Sequence, residues 1–169
     1  MSVKANATEP GYKWGGLALI LSALAIVTAL VFEYIGYAPC QLCLQQRYAY
    51  YAGVPLLFIA LVLLSADERK WAGVLFFLVS IGFLANAGLG AYHAGAEWGY
   101  WPGPSTCSGG GGLAPLDLGA GLANTAPVIP CDQAAIRILG LSFAGWNVIA
   151  SLIIHICGLK AAAVSINKS

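Results

Sequence analysis

The sequence predicts an all-α membrane protein: a four-helix transmembrane bundle with two external loops, forming a single integral membrane domain over 1–169. Three observations carry that expectation. Of 169 residues, 59% are hydrophobic and 9% charged, against roughly 25% charged in an ordinary soluble domain. A chain so apolar lacks the polar surface to cover itself in water. The few charges also mark out four long uncharged intervals, and the basic residues favour one side of them. A net charge of +1 with no basic cluster leaves no electrostatic footprint for nucleic acid.

A span needs about 20 apolar residues to cross a hydrocarbon core of about 30 Å. Lys13 to Glu33 encloses 19 uncharged residues, which predicts a first span over about 14–34. That run exceeds the roughly 7–15 residues of a signal-peptide core. No small-x-small cleavage pattern closes it convincingly before Glu33, so it is read as a retained helix. The polar residues 1–13 ahead of it are expected to be loosely ordered. A short loop over about 35–47 follows.

Arg47 to Asp67 encloses another 19 uncharged residues and Lys70 to Glu97 encloses 26. These predict spans over about 48–65 and 71–92. The second loop then runs over about 93–136. Between Trp98 and Cys131 it holds eight Gly and five Pro, with "GGGG" at 109–112, a composition that neither spans a membrane nor builds a core. Its piece "LAPLDLGAGL" at 113–122 suits either a short amphipathic segment on the membrane surface or irregular loop. Arg137 to Lys160 encloses 22 residues and predicts the last span, about 138–159. Trp14, Trp71, Trp98 and Trp101 fall near span ends, where interfacial aromatics belong.

With four spans, Lys4, Lys13, Arg69, Lys70, Lys160 and Lys168 share one side, and only Arg47 and Arg137 take the other. The positive-inside rule then puts both termini and the "SADERK" loop in the cytoplasm. Four of the five cysteines face outward, two in each external loop, in the kind of compartment where disulfides persist. Cys157 lies inside the fourth span.

The stretch "YAPCQLCLQQRYAYY" at 37–51 carries a Cys-x-x-Cys pair, Cys40 and Cys43. Pro39 suits a first helical turn. A helix beginning around Cys40 would put Cys43 where the helix dipole favours a thiolate. Arg47, four residues on, shares its face and stays charged, so an electropositive pocket at the membrane interface is expected. The bland alternative for Arg47 is a snorkelling anchor. The alternatives for the pair are a structural disulfide or a metal site. Zinc would need two more ligands at suitable spacing, which Cys107 and Cys131 do not supply, so no metal is expected.

Cys107 and Cys131 are separated by 23 residues of flexible loop. A disulfide closing such a loop could serve stability or exchange, and exchange is favoured where there is little core to stabilise. His93, in "AYHAGAEW", is a functional candidate because ionisable groups at membrane depth are costly. A satisfied interfacial histidine is its plain alternative. His155 and Cys157 are read as packing residues, and Asn86 and Asn147 as hydrogen-bonding between helices.

Taken together, "PCxLCxxQR" at 39–47, "YHAGxEW" at 92–98, "GPSTC" at 103–107, "IPCD" at 129–132 and "LGLSFAGWN" at 139–147 make the chain resemble the DsbB family of disulfide bond formation proteins over nearly its whole length. The resemblance implies a quinone-dependent thiol oxidase of the bacterial inner membrane, within a periplasm kept oxidising through quinone. A Cys107–Cys131 disulfide would take electrons from a reduced thioredoxin-like partner of the DsbA type, with Cys107 forming the mixed disulfide. Cys131 would then attack Cys40, and Cys43 would donate to ubiquinone or menaquinone. Arg47 would stabilise the charge, and His93 matches a family histidine near the quinone. The glycine run at 109–112 departs from the family pattern. A vitamin-K-epoxide-reductase-like enzyme is the alternative with similar chemistry, but its CxxC belongs late in the bundle. A membrane adaptor with structural disulfides is the alternative without chemistry.

Overall fold

The computed structural model describes residues 2–104 and 130–167, with side chains described from Pro10 onward. Four helices dominate: α1 (Ser2–Tyr34), α2 (Gln41–Ser65), α3 (Arg69–Glu97) and α4 (Phe143–Ile166). Segments Pro10–Tyr34, Gln41–Ser65, Arg69–Glu97 and Phe143–Ile166 are each long and apolar enough to cross a bilayer. The expected four-helix transmembrane bundle is therefore the observed architecture. Contacts run α1–α2–α3–α4 and back to α1, with α3 against α4 the most extensive and α2 against α4 slight.

The helices overrun the charge-bounded intervals. α1 reaches back to Ser2, so residues 2–13 are helical where loose order was expected. α2 begins at Gln41, ahead of the charge-bounded span over 48–65 but where the helix expected around Cys40 starts, and it carries Arg47. α3 continues to Glu97 and carries His93 with it. α4 begins at Phe143, five residues later than read, and runs on to Ile166. Charges report where an apolar stretch ends. A helix stops where its backbone is capped, and that signal is separate.

The caps are visible. Cys40 and Ser142 are the N-caps of α2 and α4, each accepting from the backbone N–H three residues on. At the end of α3, Gly99 takes a left-handed φ of 76°, and the Tyr100 N–H returns to the Gly95 carbonyl at 3.0 Å, closing the helix as a Schellman-type turn does. That turn lays Trp101 over Gly95, where any Cβ would lie 2.1 Å from the indole. The Trp101 Nε1–H donates to the Tyr92 carbonyl at 2.9 Å. Before α4 stands a small hairpin, β1 (Arg137–Ile138) and β2 (Leu141–Ser142), paired antiparallel. Its two turn residues, Leu139 and Gly140, both have positive φ, the requirement of a tight two-residue hairpin.

Large exposed apolar side chains such as Leu24, Phe58, Leu78 and Ile156 are left for lipid. The interior is built on Phe76 and Phe83 of α3, Leu57 of α2 and Ile154 of α4, all essentially inaccessible. Room for the two rings comes from missing side chains. A Cβ on Gly15 of α1 would lie 2.7 Å from Phe76, and one on Gly53 of α2 would lie 2.7 Å from Phe83. Packing through small residues is the means by which helices associate in lipid, where no hydrophobic drive separates helix from solvent.

The interhelical amides also behave as expected. Asn86 Nδ2 donates to Ser151 Oγ at 3.0 Å and to Asn147 Oδ1 at 3.3 Å. His155 Nδ1 lies 2.8 Å from Ser80 Oγ across α3 and α4, and Cys157 is a free thiol in the core cluster. Both are packing residues, as read.

Candidate functional site

Capping puts the first cysteine pair in place. Cys40 has an extended backbone and its sulfur accepts from the Cys43 N–H at 3.2 Å. One helical turn brings the two sulfurs within 2.8 Å of each other, both as free thiols. The same cap bears on the charge. The hydrogen bond shared with the Cys43 thiol holds Cys40 well below the ordinary 9.0, at about 4, against the opposing pull of burial, and His93 and the Cys43 N–H add to the lowering. The sequence put the favoured thiolate at Cys43. The geometry favours Cys40 instead, because the N-cap atom receives the helix N–H group.

The two sulfurs face different surroundings. Cys40 is buried in a cluster with Leu42 and Cys131, against which Cys43 and Leu89 pack. Cys131 is 1% exposed and disulfide-bonded. Cys107 lies outside the described residues. Cys43, unlike Cys40, lines a cavity of about 300 Å³ bounded by α1, α2 and α4. The wall is apolar over Ile26, Ala29, Phe32, Phe143 and Trp146, and polar at Gln46, Arg47, Tyr50 and Asn147. A volume of that order with few convergent polar groups is what a small organic ligand occupies.

Arg47 is 8% exposed, which speaks against a snorkelling anchor, since an anchor keeps its head in water. Its Nη1 ion-pairs with Glu33 of α1 and its Nη2 donates to the Ala29 carbonyl at 3.2 Å. A guanidinium carries more donors than those two bonds use. Glu33 entered the sequence reading only as the end of an apolar run. An acid at the close of one span and a lone arginine at the start of the next was the available signal.

His93 does not line the cavity. It is 1% exposed, with Nε2 at 3.5 Å from the Cys40 sulfur and 3.6 Å from Glu97 Oε1. Its Nδ1 meets Gln46 Nε2 at 2.9 Å. Gln46 is the residue the sequence reading passed over. It is 5% exposed and its Oε1 accepts from Asn147 Nδ2 at 2.7 Å. Glu97 was also missed. It lies one turn beyond His93, and its Oε2 is buried with no hydrogen-bond partner among the described residues.

Cys40, Cys43 and His93 present ligand atoms within 4.8 Å of one another, a third donor the sequence did not reveal. Two thiolates on one tetrahedral zinc stand about 3.8 Å apart, given bonds of about 2.3 Å. The observed 2.8 Å fits a pair poised to form a disulfide better than a metal clamp.

Comparison with known proteins agrees with this chemistry. The family described as "Disulfide bond formation protein DsbB" matches residues 13–161. The chain is 29% identical over 154 residues to the uncharacterized protein RP370 of Rickettsia prowazekii (strain Madrid E), covering 86% of this chain and 83% of that one. No solved structure matches.

Proposed function

Because the chain belongs to the DsbB family, and is thus a multi-pass membrane protein of disulfide bond formation with a thiol oxidoreductase role, we propose that it reoxidises a periplasmic DsbA-like thiol oxidase and passes the electrons to a membrane quinone. One observation carries the reading: the Cys40–Cys43 pair has a different neighbour on each side. Cys40 packs with Cys131, and Cys43 lines the cavity. Electrons entering through one sulfur can therefore leave through the other.

In the proposed relay a reduced partner thiolate attacks Cys107 of a Cys107–Cys131 disulfide, and Cys131 leaves as a thiolate. The partner's second thiol releases its own disulfide and frees Cys107. Cys131 attacks Cys40 of an oxidised Cys40–Cys43 pair, and Cys43 leaves as a thiolate. Cys107 then attacks Cys131, reforming the loop disulfide and releasing Cys40. Two electrons now reside on Cys40 and Cys43. A quinone supplies an acceptor for those two electrons and the accompanying two protons. The cavity fits such a group: its wall is apolar, Arg47 offers charge and spare donors, and Cys43 reaches the interior. Cys40, Cys43, Cys107 and Cys131 are thus proposed as catalytic, with Arg47 and Cys43 at the quinone. His93, expected at the quinone, acts in this proposal through Cys40. The setting is the bacterial inner membrane, with both termini cytoplasmic.

The test is turnover with purified protein in detergent, a reduced thioredoxin-like periplasmic oxidase as donor, and ubiquinone or menaquinone analogues as acceptor. One quinone should be reduced for each partner disulfide formed. Partner oxidation that proceeds equally without any quinone, under anaerobic conditions, would sink the proposal.

A further inference from the structure

A chain of polar side chains, buried at Tyr50, Asn86, Gln46 and His93 and half-buried at Asn147, runs behind the cysteine pair and ends on it. Tyr50 Oη donates to Asn147 Oδ1 at 2.5 Å, and Asn86 Nδ2 approaches the same oxygen at 3.3 Å. Asn147 Oδ1 is thereby an acceptor, so its Nδ2 donates to Gln46 Oε1 at 2.7 Å. The amide of Gln46 must then present its Nε2 to His93 Nδ1, at 2.9 Å. A neutral imidazole has one donor and one acceptor nitrogen. With a donor facing Nδ1, the proton belongs on Nε2. The far end of the chain agrees. Nε2 faces the Cys40 sulfur at 3.5 Å and Glu97 Oε1 at 3.6 Å, which accept when ionised.

We infer that Gln46, held by Asn147, is a positioning residue that fixes His93 as the Nε2–H tautomer and aims that proton at the Cys40 sulfur. The consequence rests on the relay proposed above. Release of Cys40 from its mixed disulfide with Cys131 creates a thiolate there, and His93 stabilises that leaving group by donating to it. A histidine so held is a donor to sulfur and not the base that collects a thiol proton. Gln46 also lines the cavity, but among the described residues no hydrogen bond joins it to either sulfur, so its effect on Cys40 passes through the ring it orients.

The inference is tested on the full-length protein in detergent micelles, reduced, without quinone or partner. Long-range proton–nitrogen correlation spectra of 15N-histidine protein report the tautomer directly, with His155→Asn used to assign the two rings. Nε2–H at His93 is expected, and Nδ1–H would overturn the inference. In Gln46→Met the lock is gone, so a mixture of tautomers should appear. The thiolate absorbance titration of Cys40 should rise by about one unit, the scale of one hydrogen bond to the charged form. Groups facing that sulfur are the Cys43 thiol, His93 and Glu97, the last influenced by Arg137, and none is altered by this change. Gln46→Glu presents only an acceptor, so Nδ1 should become protonated. An unchanged His93 spectrum and unchanged Cys40 titration in both variants would overturn the role of Gln46. If Gln46→Met fails to fold, the wild-type spectrum and Gln46→Glu still decide. Neither readout needs turnover, so failure of quinone reduction would count against the relay and leave the tautomer result standing.

Discussion

Replacing Arg47 by Gln should weaken quinone use far more than it weakens the fold. Two costs are separable. The first is the ion pair with Glu33, whose side chain is 43% exposed while that of Arg47 is 10% exposed. An orphaned Glu33 can rehydrate, so the loss belongs nearer the roughly 0.2–1 kcal/mol of exposed pairs than the roughly 3–5 kcal/mol of breaking a buried one. For a chain of this size about 1 kcal/mol moves a melting temperature by roughly 2–4 °C. The second cost, on the proposed function, is a charge-assisted hydrogen bond to a quinone oxygen, about 1.5–3 kcal/mol, or roughly 10- to 150-fold in KM. Arg47→Lys keeps the charge without the planar fork and should fall between. The assay is a steady-state quinone titration beside a thermal melt in the same detergent. Glu33→Gln is the informative partner: it keeps the guanidinium, so KM should stay near wild type. If Glu33→Gln raised KM as much as Arg47→Gln, the ion pair and not the guanidinium would be holding the site. An Arg47→Gln protein with wild-type KM would end the argument altogether.

Cys107→Ser should abolish oxidation of the soluble partner while Cys40 and Cys43 still form a disulfide when quinone is added, read by thiol trapping and mass; normal partner oxidation would overturn the order of the relay. The thiolate absorbance of the reduced protein should show a transition near pH 4, with Cys40 far below the ordinary 9.0; a single transition near 9 would contradict the capping geometry. Since the folded value is depressed, the reduced protein should gain stability, relative to Cys40→Ser, as pH rises from about 4 toward 9 and lose it as pH falls through 4; chemical denaturation at several pH values measures this. Cys157→Ala should remove only packing, about 1–2 kcal/mol, because Cys157 sits 3% exposed in the core cluster; loss of quinone reduction in a folded Cys157→Ala protein would bring a fifth cysteine into the chemistry.

Composition carried most of the fold. Intervals of uncharged residues as long as Lys13 to Glu33 admit few structures other than spanning helices, so the bundle was legible before any contact was known. Helix ends were less so, because Cys40 as an N-cap and Gly99 as a stop act through backbone geometry and leave charge counts unchanged. Within the site, the Cys40 and Cys43 pair and Arg47 were readable because their spacing follows the helical repeat. Gln46 and Glu33 were not. Their roles arise from partners 47 and 14 residues away along the chain, and a glutamine beside an arginine looks like any polar residue near an interface. Cys131 beside Cys40 was expected only through family likeness; the packing of the two is a tertiary fact.

The amide chain from Asn86 through Asn147 to Gln46 has a consequence for how the protein is made. Its members come from α3, α4 and α2, and the last of these to leave the ribosome is α4. Until that helix enters the bilayer, Gln46 lacks its Asn147 donor and Asn86 lacks both Asn147 and Ser151. Amides in hydrocarbon without partners are costly, and they seek any polar group within reach. That helix therefore completes more than the wall of the bundle. It closes a polar circuit that the earlier helices hold open, and on the inference above the orientation of His93 waits for α4 to enter. A nascent chain halted before α4 should carry its cysteine pair at the membrane surface with the ring behind it still unaligned.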